Sequence, residues 1–267
     1  MHGSKRIMKQ TGAALATLAT LGTPAARALD NIVFPDSITN AWVATAAGNA
    51  STAGNWSLGH APTESETVLL DYFSTKDMTW DAAAVSNVAH WIQNPGYTGT
   101  VTFATVFGST GFTNFTVSGD AMIAGGSWSH AANTTNELNG LFLTIGRNLT
   151  IEADGQIQAD YKGYIKLKGP GASVGDASGG YGGMGSAASG ATVAGTTYGS
   201  ASRPVNLGSG GRDNPGAGAV RLTVGGATTV NGAISASNPN SINNTCAGSG
   251  GSVLLFTGTL GGTGVIR

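Results

Sequence analysis

Leu141 to Asp160, LFLTIGRNLTIEADGQIQAD, decides how the whole chain is read. Apolar residues alternate in two short runs broken at Gly146 and Gly155, the period-2 pattern of half-buried strands. The pattern recurs in Val220 to Ser237, VRLTVGGATTVNGAISAS. There Thr144-Ile145-Gly146 aligns with Thr223-Val224-Gly225, and Gln156-Ile157-Gln158-Ala159 with Ala233-Ile234-Ser235-Ala236. A looser copy runs from Phe115 to Trp128, FTVSGDAMIAGGSW, and a truncated one from Val253 to Arg267, VLLFTGTLGGTGVIR. A unit of this kind cannot bury its apolar face alone, so copies must stack. Stacking predicts an all-β protein, a right-handed parallel β-helix, with a β-sandwich of similar strands as the alternative. The glycines are expected where strands turn sharply, because positive φ costs least there.

Outward from these copies the chain divides by composition. Residues 1–28 carry Lys5, Arg6 and Lys9, then a mildly apolar run, then Ala26-Arg27-Ala28, which together have the three parts of a secretory signal peptide. Residues 29–111 hold Trp42, Trp56, Trp80 and Trp91 among short strands and turns such as Asn94-Pro95-Gly96. This stretch is expected to be an aromatic-rich N-terminal β cap that closes one end of the stack. Residues 112–267 hold the copies, interrupted by a Gly-rich insertion, 163–216, that is either a packed flap or a flexible surface segment. The last copy stops at Ile266-Arg267. Either the polypeptide continues past it, the reading favoured here, or the last strand is a bare edge.

Charged residues make up only 10% of the chain, and its formal charge is −1. Loss of residues 1–28 would leave nine basic side chains against fourteen acidic ones, a formal −5, which disfavours nucleic acid as a partner. No later stretch approaches the roughly 20 apolar residues that span a bilayer. The expected location is therefore secreted or at a bacterial cell surface, with extracellular polysaccharide or other surface proteins as partners. The single Cys246 cannot form an internal disulfide and reads as a buried filler.

Catalytic patterns are sparse. Glu64 and Glu66 would share a face of a strand but lie in a Thr- and Ser-rich stretch that reads as a solvated loop. Asp154, Asp160, Asp176 and Asp213 punctuate turns, without the Asp-x-Asp-x-Asp spacing or nonapeptide repeat that binds calcium, so calcium is the one cofactor considered and no cofactor is the expectation. His2, His60, His90 and His130 are scattered without metal-ligand spacing. The Gly-Ser-Gly-Gly runs at Gly208 to Gly211 and Gly248 to Gly251 lack the Lys of a phosphate loop and read as turns. A polysaccharide lyase would need a base beside acidic residues. Lys162, Lys166, Lys168 and Arg212 with Asp176 and Asp213 are the available set. Indole faces stack on sugars, which makes Trp56, Trp80 and Trp128 the candidate carbohydrate-stacking residues, although large aromatics in such a chain more often form its core.

The stretches NWSLGHAPTESETVLLD, TWDAAAVSNVAHW, GYTGTVTF, TVSGDAMIAGGSWSHAAN and LTIGRNLTIEADGQIQAD, with YGGMG, LGSGG and GSGGSVLL, resemble exported Gly-rich repeat proteins of planctomycetes and verrucomicrobia. The resemblance implies a pectin-lyase-like β-solenoid within a long, autotransporter- or adhesin-like surface polypeptide, and it carries over no catalytic residue. The expected function is a structural or adhesive surface module without catalytic activity. The alternative is a carbohydrate-active protein, either a polysaccharide-binding module or a β-helical lyase.

Overall fold

The computed structural model describes residues 36–187, 193–238 and 246–267, so the expected signal peptide lies outside the described residues. Seven short strands precede Phe112: β1 (Ile38–Ala41), β2 (Gly48–Asn49), β3 (Glu66–Leu70), β4 (Met78–Trp80), β5 (Asn87–Val88), β6 (His90–Gln93) and β7 (Thr100–Phe103). The central strands are β8 (Phe115–Val117), β9 (Ala121–Ile123), β10 (Ser127–His130), β11 (Leu141–Ile145), β12 (Leu149–Ile151) and β13 (Gln156–Gln158). After the Gly-rich insertion come β14 (Ala219–Val230), β15 (Ala233–Ser235), β16 (Ser252–Gly261) and β17 (Val265–Ile266). Among the described residues the one helical piece is a 3-10 turn at Ala53–Asn55.

All ladders between these strands are parallel. They form two sheets. The ten-stranded sheet runs β1-β3-β6-β9-β12-β14-β11-β8-β5, with β16 also on β14, and the seven-stranded sheet runs β17-β15-β13-β10-β7-β4-β2.

This corrects the expected pectin-lyase-like β-helix, and the β-sandwich as well. β14 is one strand of 12 residues whose first half pairs with β11 and whose second half pairs with β12. What would have been two separate faces is thereby joined into one sheet curled as a half-barrel. The bend sits where the β14–β16 register shifts between Val224 and Ala227, since a bulge turns a strand and increases its twist. In strand direction the sheets resemble those of α/β proteins, with loops where those have crossover helices.

The aligned stretches of sequence lie side by side in these sheets. Thr144 and Ile145 pair with Thr223 and Val224, and Gln156, Ile157 and Gln158 pair with Ala233, Ile234 and Ser235. Their alternate residues point inward. Leu141, Leu143, Ile145, Val220, Leu222 and Val224 all belong to one core, which also takes in Trp42, Trp56, Trp80, Trp91 and Trp128. Residues 29–111 contribute strands to both sheets and rings to this core. Their strands β1, β3 and β6 belong to one sheet, β2, β4 and β7 to the other, and their indoles fill the same interior as the later strands.

Gly146 and Gly155 have a different reason to be glycine than the one expected. Neither has positive φ. A Cβ on Gly146 would sit 2.1 Å from Ser118 O, and one on Gly155 would sit 2.0 Å from Ile123 O. Both are sites where neighbouring backbones approach too closely for a side chain.

Much of the described Gly-rich insertion is packed, although Gly182, Gly183 and Met184 stand clear of it. Gly163 N–H donates to Gly216 O (2.8 Å), Gly208 N–H to Ala217 O (2.8 Å), Gly180 N–H to Gly171 O (2.8 Å) and Gly179 N–H to Ala247 O (2.9 Å). Gly208 to Gly211 and Gly248 to Gly251 are not turns but segments running past one another, tied by Ser249 N–H to Ser209 O (2.9 Å) and Ser209 N–H to Ser249 Oγ (2.8 Å). A Cβ on Gly216 would lie 2.0 Å from Gly208 O, so only bare backbone packs this tightly outside a sheet. Tyr164, Leu207 and Ala219, with Phe107 against them, make a small second core that fastens the insertion to the rest of the chain.

Candidate ligand-binding cleft

Alternation in β11 and β14 decides what faces outward. Leu141 and Leu143 point into the core, so Phe142 points away from it, and its register partner Arg221 does the same between Val220 and Leu222. The Arg221 guanidinium carbon lies 4.5 Å above the centre of the Phe142 ring, a cation–π contact at a partly exposed position. Phe107 meets Phe142 edge-on at 4.8 Å. Phe107 is held there by its own N–H, which donates to Leu138 O at 2.8 Å.

One wall of the cleft is the 134–139 loop, organised by buried Asn133. Its Oδ1 accepts from Leu138 N–H (2.9 Å) and Asn139 N–H (2.7 Å), while its Nδ2 donates to Asn139 O and Lys162 O (both 2.8 Å). This loop presents Glu137. The Glu137 carboxylate accepts from Leu207 N–H (2.9 Å) and from Asn206 Nδ2 (3.3 Å to each oxygen), so it anchors the insertion. The other wall is Arg203, Val205 and Asn206 of the insertion itself. The enclosed space is about 360 Å³.

The lining thus carries two guanidinium groups and one carboxylate. The carboxylate is occupied by backbone and amide N–H donors. Neither Arg203 nor Arg221 is in an ion pair among the described residues. Phe142 is itself buried, at 3% exposed, and covered by Arg221 and Phe107, so half-buried Phe107 and the two cations are what the cleft offers a ligand.

The residues singled out in the sequence lie elsewhere. Trp56, Trp80 and Trp128 are 2%, 0% and 0% exposed, which removes them as a carbohydrate-stacking platform. Trp56 packs edge-on against Trp42 (5.2 Å) and Trp80 (6.3 Å), and Trp128 against Trp91 (5.4 Å). Their indole N–H groups donate to Ala50 O (2.7 Å), Val85 O (2.9 Å) and Gln93 Oε1 (3.1 Å), so each large ring is buried with its polar atom satisfied.

The lyase set is brought together only in part. Arg212 does meet both Asp176 and Asp213. The hydrogen bonds it donates to Asp213 and then Asp176 raise its pKa further, so it holds its proton and cannot act as a base. Lys166 and Lys168 are exposed, and Lys162 stands near His130. Glu66 is buried, accepting from Asn40 Nδ2 (3.1 Å) and Thr63 N–H (3.2 Å), whereas Glu64 faces solvent. Asp160 accepts from the Ser235 hydroxyl (2.5 Å) and Ser237 N–H (2.7 Å) and ties down the end of β15. Among the described residues no three His, Cys, Asp or Glu side chains converge as a metal site, and no helix is long and apolar enough to cross a membrane.

Phe142 and Arg221 occupy the same place in the two aligned copies, LFLTIG and VRLTVG. A large ring and a cation at one outward position of adjacent strands was the available signal for this cleft. Comparison with known protein families, curated proteins and solved structures found no match.

Proposed function

We propose that the chain is a structural or adhesive module of an exported surface protein that holds an acidic saccharide without breaking it. The observation that carries this is the cleft beside Phe142, where Arg221 and Arg203 present positive charge next to the half-buried Phe107 ring. A carboxylate-bearing sugar has the matching chemistry, with a ring to lie against half-buried Phe107 and a charge for the guanidinium groups. Chain cleavage is not supported. Glycoside hydrolysis uses two carboxyl groups, and this lining has one, engaged by Leu207 and Asn206. Export rests on the Lys5 to Ala28 pattern and on the resemblance to exported Gly-rich proteins.

The test is titration of the full chain with oligogalacturonate and with the uncharged oligogalactose analogue, at two salt concentrations. The acidic sugar binds, more weakly at high salt, and Arg221→Ala weakens it about tenfold, the loss of one charge-assisted hydrogen bond. Equal binding of the neutral analogue, or an Arg221→Ala variant that binds as the parent does, refutes the proposal.

A further inference from the structure

A second concavity lies against the same strip of the insertion. It encloses about 470 Å³ and is lined by Tyr181, Gly182, Thr197, Tyr198, Gly199, Ser200, Ala201 and Pro204. Its chemistry differs from that of the cleft over Phe142, since no charged side chain lines it. Two tyrosine rings meet edge-on at 4.9 Å, with hydroxyls of Thr197 and Ser200 beside them.

The two spaces are neighbours through one hydroxyl. Ser252 Oγ donates to Asn206 O at 2.5 Å, and Tyr181 Oη bonds to the same Ser252 Oγ at 2.6 Å. Asn206 lines the charged cleft and Tyr181 the neutral one, while Arg203 and Pro204 are consecutive residues with one on each side. The tyrosines are held in place. Tyr198 Oη donates to Leu207 O and accepts from Ser209 Oγ, and burial pushes its pKa up, so it remains a neutral phenol. Gly199 has φ of +82°, and a Cβ there would come within 2.7 Å of the Tyr181 ring, so a glycine keeps that ring edge clear.

We propose that the concavity at Tyr181 and Tyr198 is a second saccharide subsite, so that the ligand is a heteroglycan with an uncharged residue next to its acidic one. This rests on the reading of the Phe142 cleft as an acidic-sugar site. An acidic unit sits against Phe107 with its carboxylate toward Arg221 and Arg203. The adjoining uncharged unit crosses residues 203–206 and lies on the Tyr181 ring. A homopolymer of acidic units would instead place a carboxylate against the neutral, partly desolvated tyrosine site, where nothing pairs with it.

The experiment compares glucuronate with the hyaluronan disaccharide, in which uronate is joined to an uncharged amino sugar, and galacturonate with digalacturonate. The expected result is a gain of about tenfold from monosaccharide to disaccharide for the mixed glycan, the size of one added aromatic contact, and little gain for the homopolymer. Tyr181→Ala abolishes the gain, and Tyr181→Phe, which keeps the ring and loses only the hydroxyl, restores it. Thermal melting of each variant reports whether the strip stays folded. An equal gain for both polymers, or a gain that survives Tyr181→Ala, overturns the second subsite. So does a loss in Tyr181→Phe as large as in Tyr181→Ala, which would trace the effect to a loosened strip. If no acidic fragment of any length binds, the failure belongs to the Phe142 cleft.

Discussion

Acidification from pH 7 to pH 4 should destabilise this protein through one side chain, His130. Its ring is buried at the end of β10, where Nδ1–H donates to Ala131 O (2.8 Å) and Nε2 accepts from Ala219 N–H (3.3 Å) at the start of β14. The contact with Ala219 requires the neutral ring. Burial lowers its pKa from the ordinary 6.5 to about 4, and nearby Lys162 pushes the same way against the Ala131 hydrogen bond. Between those values the unfolded chain takes up a proton that the folded chain refuses. The stabilisation is therefore fully present above pH 6.5 and is lost as pH falls through 4. A shift of this size corresponds to about 3 kcal/mol at 1.36 kcal/mol per unit. Urea unfolding midpoints at half-unit steps from pH 7.5 to 4 measure it, with His130→Gln as the non-titrating reference so that carboxylate protonation cancels in the difference. The parent should lose about 3 kcal/mol more than the variant over that range. A parent-minus-variant difference that is flat with pH, or a His130 resonance titrating near 6.5, would refute the assignment.

Two further outcomes follow from the packing. Gly146→Ala forces a Cβ against Ser118 O and should cost about 1–3 kcal/mol in chemical denaturation with no change in the folded-state circular dichroism band. Trp91 touches the rings of Trp80, Phe103, Phe115 and Trp128, so Trp91→Ala should cost about 3–5 kcal/mol and lower the melting temperature, whereas a merely surface-exposed indole would cost little.

Much of the interior was legible because alternation is a local signal. Ile145 and Val224, and Ile157 and Ile234, could be placed inside from period 2 alone, and the alignment of the copies also carried their pairing. The curl of the large sheet was not legible. Gly225-Gly226 reads like the break at Gly146, yet β11 and β12 are two strands while β14 continues through its glycines as one. Whether the ladder bends or stops there depends on β16, which pairs across both halves of β14 from residues 252–261. The tryptophans could be read as core or as platform, because a sequence shows which rings are large but not which rings meet each other. The cleft stayed hidden because Phe107, Glu137, Phe142, Arg203, Asn206 and Arg221 come from four stretches that only the packed insertion brings together. The Gly-Ser-Gly-Gly runs misled for a related reason. Glycine marks both a turn and a close backbone approach, and only the neighbouring strand distinguishes the two.

The bare-backbone packing of the insertion also has a calorimetric meaning. Where Gly163, Gly179, Gly180, Gly208 and Gly216 are held by peptide-to-peptide hydrogen bonds, opening exposes mostly polar surface. Polar exposure lowers the heat capacity on unfolding, whereas exposure of the tryptophan-filled core raises it. The two parts of the molecule therefore respond oppositely to cold. Cooling weakens the hydrophobic contribution of the interior, while the cohesion of the glycine lattice, which owes little to that effect, persists. In this chain the segment with the fewest side chains is the one whose hold on residues 203–206 depends least on temperature.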